Sequence, residues 1–218
     1  MSFPQLVQAA QQYFPKLKVK YKNNSKFMKL LSFLLFFNKN FMTSYTTTIG
    51  STIYFPSKDT VLGRPTSSMI TLMHELVHIY DAQKLNTLVF SLLYLTPQIL
   101  SLLLMPLFFV LPWWLVLLMI MVLVAPIPSF FRMKFEKRAY FVSLYVMHKL
   151  SSKFSFKLSL EAEKDSMLRQ FKGADYYFMW PFSSLEKEFD AGLLKIKNNQ
   201  RPIEDPVFDI IDELLEKV

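Results

Sequence analysis

Residues 85–131 contain no Asp, Glu, Lys, Arg or His, a run of 47 uncharged positions in a chain of 218. A single helical pass through a bilayer takes about 20 residues, so this run has room for two passes and a tight turn. Pro112-Trp113-Trp114 sits near its middle, where a turn would fall, and tryptophan suits the headgroup zone. Pro97, Pro106, Pro126 and Pro128 mark kinks or ends of the helices. The flanks are basic on both sides, with Lys84 before the run and Arg132, Lys134, Lys137 and Arg138 after it. A spanning hairpin with such flanks keeps both ends, and so both termini, on the cytoplasmic side. Pro97-Gln98 interrupts the first pass, which leaves a re-entrant or interfacial hairpin open. A helical hairpin buried inside a soluble domain is the third arrangement.

Charge is distributed unevenly outside this run. The net charge is +8. Residues 1–58 hold eight lysines and no acidic residue, whereas the remainder balances at 17 basic and 17 acidic. The whole excess is therefore N-terminal. Such a patch suits nucleic acid or an anionic membrane. No nucleic-acid motif accompanies it, so the membrane surface is the expected partner, with a solvated lysine face as the plain alternative. The chain has no cysteine, which excludes disulfides and cysteine-ligated metals. No basic cluster followed by an apolar core opens the chain, so no cleavable leader is expected.

Residues 3–13 have apolar positions at helical spacing. Residues 16–22 alternate Lys with Leu, Val and Tyr, the pattern of a strand with a solvated lysine face. Ser25 is a cap for a following helix through Met28, Leu31, Leu34 and Leu35. Residues 41–49 and 52–55 read as two strands joined at Gly50, or as one bulged strand. Residues 57–65 read as a loop, and Ser67 or Ser68 as the cap of the next helix. Beyond the uncharged run, helices are expected over residues 134–150, 159–171, 185–197 and 206–218. The last has one apolar face, made of Val207, Ile210, Ile211, Leu214 and Leu215.

The helix expected from Met69 carries His74-Glu75-Leu76-Val77-His78. On a helix, residues four apart share a face, so both imidazoles can meet one ion. Glu75 stands where it can take a proton from a water on that ion. Two neutral nitrogen ligands and a carboxylate base are the minimum equipment for zinc-assisted hydrolysis. With three His and nine Glu in the chain, chance produces this pattern roughly once in six hundred such sequences.

A catalytic zinc keeps three protein ligands and one open position. Three residues compete for the third place: Glu136, Asp81 and His148. Tyr140 and Ser143 share a helical face with Glu136, while His148 is twelve residues on and about 120° off that face. Asp81, three residues after His78, is better placed to orient a ligand imidazole than to bind the ion itself. If the helices run on into the hairpin, His78 stands about 10 Å and Glu136 about 7.5 Å from the uncharged run. Glu136 is the favoured ligand on helix geometry, and these similar heights are an independent check.

The order His-Glu-x-x-His, apolar hairpin, Glu136-Lys137-Arg138-Ala139 resembles the membrane zinc metallopeptidases of the CAAX-prenyl-protease and heat-shock-protease type, within the gluzincin pattern. Residues 46–54, Thr46-Thr47-Thr48-Ile49-Gly50-Ser51-Thr52-Ile53-Tyr54, resemble the edge-strand region along which such enzymes pair an extended substrate. The resemblance covers residues 46–140. It implies zinc on His74, His78 and Glu136, Glu75 as base, and a polypeptide substrate. Tyr140 stands where those enzymes often have Asp; small phage-encoded and bacterial zinc-peptidase-like proteins share the Glu-x-x-Ala-Tyr form. Tyr140, or one of Tyr176 and Tyr177, is the candidate for stabilising an oxyanion. The expected fold is α+β and zincin-like: a small antiparallel or mixed sheet with active-site helices and an inserted hydrophobic helical hairpin. Residues 1–84 would hold the sheet and the motif helix, 85–131 the hairpin, and 132–218 the third-ligand helix and the C-terminal helices. Two other functions fit the same residues: a membrane-anchored binding or assembly protein with a structural ion, and a hairpin protein that perturbs membranes.

Overall fold

The computed structural model describes residues 2–34, 40–97, 99–100, 106, 109–124, 128–155, 158–172 and 183–218. The chain is α+β, mostly helical with one three-stranded mixed sheet. It divides into two compact units, residues 1–80 with 204–218, and residues 81–203.

The first unit opens with α1, Phe3–Tyr13, whose Ser2 and Gln5 form a capping box. It buries Phe3, Leu6, Ala9 and Ala10. Strand β1 is Lys18–Tyr21, followed by a 3-10 turn at Lys22–Asn24 and helix α2, Lys26–Leu34. The backbone N–H of Met28 donates to the Ser25 hydroxyl at 3.3 Å, so Ser25 does cap α2. Strands β2, Thr47–Ile49, and β3, Thr52–Phe55, form an antiparallel hairpin in which Ile49 faces Thr52. Gly50 takes φ +58 at the first position of its two-residue loop, a conformation that glycine adopts without steric cost. β1 pairs with β3 in parallel, giving the order β1-β3-β2. Ile53 and Phe55 are buried, and Phe55 meets Phe3 edge-on at 5.3 Å. The C-terminal helix α10, Val207–Lys217, buries Val207, Phe208, Ile211 and Leu214, and its Lys217 reaches Gln12 of α1.

Two expectations change here. Residues 57–65 are not a loop, because Ser57 caps a short helix α3, Lys58–Gly63. The motif helix α4, Pro65–Leu85, starts earlier than Ser67, with proline at its first position, where a missing N–H costs nothing. The lysine alternation also breaks at its end. Lys18 and Lys20 are exposed, but Lys22 is fully buried, because the chain leaves the strand for the 3-10 turn before reaching it.

The second unit holds the end of α4 and helices α5, Thr87–Leu95, α6, Trp113–Val124, α7, Phe130–Phe154, α8, Leu160–Lys172, and α9, Ser183–Lys197. α7 packs against α5, α8 and α9. Its Phe141 ring stacks on Phe189 at 4.7 Å, and Gly192 makes room for it, since a Cβ there would lie 2.4 Å from that ring.

Among its described residues, the uncharged run holds two short helices rather than a pair of spanning ones. α4 does not run on into it, because Asn86, at φ 74, ends one helix and caps the next by accepting from the Leu88 N–H. α5 has nine residues and stops before Thr96-Pro97, and α6 has twelve. Among the described residues no helix is long and apolar enough to cross a membrane. The inference that both ends lie on one side presupposed two passes, so it has no support from these helices. Tyr176 and Tyr177 lie outside the described residues.

Candidate metal centre

α4 presents two kinds of face. Leu72, Met73, Leu76 and Val77 are fully buried apolar residues. His74, His78 and Asp81 follow one another at four and three residues, so they form a single polar stripe along the helix. His78 and Asp81 are buried and His74 half-buried. The imidazoles of His74 and His78 lie 5.2 Å apart, centroid to centroid, at 75°. On α7 the corresponding stripe is Arg132, Glu136, Tyr140 and Ser143, all buried. Burial of ionisable groups on this scale is costly unless each is paired or holds a ligand.

One donor atom from each of His74, His78 and Glu136 falls within 4.8 Å of the others, a candidate metal site. A tetrahedral ion with bonds of about 2.0–2.2 Å needs donors about 3.4 Å apart, a gap that side-chain rotation can close. Two imidazole nitrogens and a carboxylate oxygen suit borderline divalent cations such as zinc. Tyr94 of α5 donates its hydroxyl to Oε1 of Glu136. Glu136 is 2% exposed, so its carboxylate joins the two imidazoles in a buried setting. The residues present therefore fit a bound ion.

His148 is not part of this cluster, and its Nε2 lies 3.3 Å from Oδ1 of Asn199. Oδ1 of Asp81 accepts from the Arg138 guanidinium, in an ion pair where the aspartate side chain is 3% exposed. Sequence reasoning assigned Asp81 to an imidazole and gave Arg138 no partner. The pair ties the end of α4 to α7 two residues beyond Glu136. Tyr140 donates its hydroxyl to Gln170 of α8 and packs its ring on Phe171 at 5.4 Å.

Glu75, 8% exposed, accepts a hydrogen bond of 2.7 Å from the Thr48 hydroxyl. Thr48 lies on β2, at one end of the sheet order. Close to this carboxylate the fold also buries Lys22. Its ammonium donates to the Phe41 carbonyl at 2.6 Å and sits 3.9 Å over the Phe41 ring. Burial pushes this amine down to about 8, a shift partly opposed by the negative charge of Glu75.

Tyr94, Thr48 as the partner of Glu75, Lys22 and Arg138 were all missed as contacts by sequence reasoning. Only Thr48 carried a signal, as part of the Thr-rich segment before the motif helix. Tyr94 is one hydroxyl in a stretch that reads as uniformly apolar, and its partner is 42 residues away.

No family model, curated protein or solved structure matches this chain. What stands of the peptidase resemblance is the His74, His78 and Glu136 cluster, with its histidine spacing, in a mostly helical α+β chain.

Proposed function

We propose that the chain is a zinc-dependent peptidase that works at a membrane surface. The observation that carries this reading is the convergence of His74, His78 and Glu136, two ligands from one helix and a third from 58 residues along the chain. When bound there, zinc acidifies a water molecule toward neutrality and polarises a carbonyl. Glu75 would accept a proton from water at this site and deliver it to the leaving amine. Thr48 holds the Glu75 carboxylate in one orientation through their hydrogen bond. β2 is also the strand beside which an extended polypeptide would pair by strand addition. One strand thus aligns the substrate and steadies the base.

The membrane part of the proposal rests on α5 and α6. α5 buries none of its residues, and Leu88, Val89, Leu92 and Leu95 are exposed along it. On α6, Trp113, Trp114, Leu117, Leu118 and Met121 are exposed, as are Phe109 and Val110 before it. Exposed apolar side chains along both helices call for a cover other than water. Helices of nine and twelve residues fit insertion into one leaflet, the interfacial form of the hairpin.

The test is Glu75→Gln, assayed with fluorescent casein and by metal analysis. Zinc content stays at one per chain and cleavage falls at least a hundredfold, the scale of general-base catalysis. A Glu75→Gln protein that cleaves as fast as the wild type ends the hydrolase reading. Zinc bound by a wild type that cleaves nothing makes the ion structural.

A further inference from the structure

We infer that Tyr94 is a working member of the metal site, a positioning residue whose phenol makes Glu136 a one-oxygen ligand. This rests on the reading of His74, His78 and Glu136 as a metal site. The starting observation is the hydrogen bond from the Tyr94 hydroxyl to Oε1 of Glu136. Glu136 is 2% exposed, so water does not compete freely for that oxygen.

Contacts from α7 and from within α5 hold Tyr94 in place. Nε of Arg132 donates to the Tyr94 carbonyl at 3.1 Å, and the same guanidinium lies 5.2 Å from the Tyr94 ring centroid. Phe90, one turn earlier on α5, lies 5.7 Å from the Tyr94 ring and 4.8 Å from Phe135 of α7. Two residues after Tyr94, the Thr96 carbonyl accepts from the hydroxyl of Ser129, which itself caps α7. Arg132 is one helical turn before Glu136, so one stretch of α7 supplies both the ligand and the clamp on the residue that orients it.

The chemical consequence follows from carboxylate geometry. A carboxylate can bind an ion through one oxygen or both. A donor fixed on Oε1 spends that oxygen's lone-pair density and favours binding through the other. One-oxygen binding leaves the fourth coordination place for water, which is what separates a catalytic zinc from a closed structural one. Groups that orient a ligand in this way typically change metal affinity 10–100-fold when removed.

The experiment uses the full chain with Zn2+ and Co2+ as probes. Tyr94→Phe keeps the ring and its packing and removes only the hydroxyl. Zinc affinity, measured against a chromophoric chelator, should fall by about 10–100-fold. In the cobalt form, the visible d–d absorption should weaken as Glu136 turns to two-oxygen binding and the coordination number rises. Equal affinity and an identical cobalt spectrum in the two proteins overturn the role of Tyr94 and leave the cluster standing. A wild type that binds neither ion removes the metal site itself, and the Tyr94 role with it. Should Tyr94→Phe fold poorly, fluorotyrosine at position 94 of the otherwise unaltered chain gives a fluorine resonance. That resonance should shift when zinc is added, and an unchanged signal rejects the inference.

Discussion

α7 and the pair α5 and α6 reverse the usual relation between composition and burial. α7 carries seven Lys, Arg and Glu residues and buries 13 of its 25 positions, Arg132 and Glu136 among them. α5 and α6 contain no charged residue at all, yet α5 buries nothing and the tryptophans of α6 are more than half exposed. In a protein shaped only by water, the apolar helices would form the core and α7 would lie outside. Burial in this chain follows pairing instead. The polar groups of α7 go inside because each has a purpose-built partner: Tyr94 for Glu136, Asp81 for Arg138, the Tyr94 carbonyl for Arg132. The apolar helices keep exposed faces among the described residues, and the membrane surface is the cover proposed for them.

The contrast breaks most visibly if the exposed side of α5 and α6 is made polar. Replacing Leu88, Leu92, Trp113 and Met121 together by serine should lower partitioning onto phospholipid vesicles at least about a thousandfold, since each side chain is worth roughly 1.5–3 kcal/mol when buried. Sedimentation with vesicles measures it, and undiminished binding would show that these faces do not meet lipid.

The polar half of the comparison is sharpened by Asp81. Asp81→Ala should cost about 3 kcal/mol in urea unfolding, because it strips the counter-charge from Arg138 in a mostly buried setting. Replacing both partners by leucine should restore most of that loss. A double variant as unstable as the single one would mean that packing, rather than an orphaned charge, sets the cost.

Lys22 gives the smallest effect and the most specific signature. Its amine has a pKa of about 8 in the fold and an ordinary one near 10.4 when unfolded. Below about pH 8 both states are protonated, and the full cost of the buried ammonium is present. Between about 8 and 10.4 the unfolded chain holds a proton that the folded chain has released, so stability rises with pH. Lys22→Met should abolish that rise, read from denaturation curves at pH 7.5 and pH 9.5. Parallel pH dependence in the two proteins would exonerate the lysine.

Most helices were legible in advance, because each is set by local spacing. Residues 3–13, 159–171, 185–197 and 206–218 fall within a residue or two of α1, α8, α9 and α10. Within the uncharged run the described helices are shorter than two spanning passes for a definite reason. Hydropathy reports what a segment avoids and not how long its helices are, and helix length here is cut by Asn86 and Thr96-Pro97. Residues 57–65 were misread because their polar composition suits both a loop and a capped short helix.

The sequence alone determined that His74 and His78 share a helical face, that Glu75 stands beside them, and that Glu136 was the candidate for the third donor. Those facts follow from a period of 3.6 residues and the choice of side chains. Only the tertiary structure decided that Tyr94 grips Glu136, that Thr48 grips Glu75, that Asp81 goes to Arg138 and that Lys22 is buried. A repeat pattern fixes the direction of a side chain within its own element, whereas its partner depends on which elements pack together, and that is settled by the free energy of the whole chain.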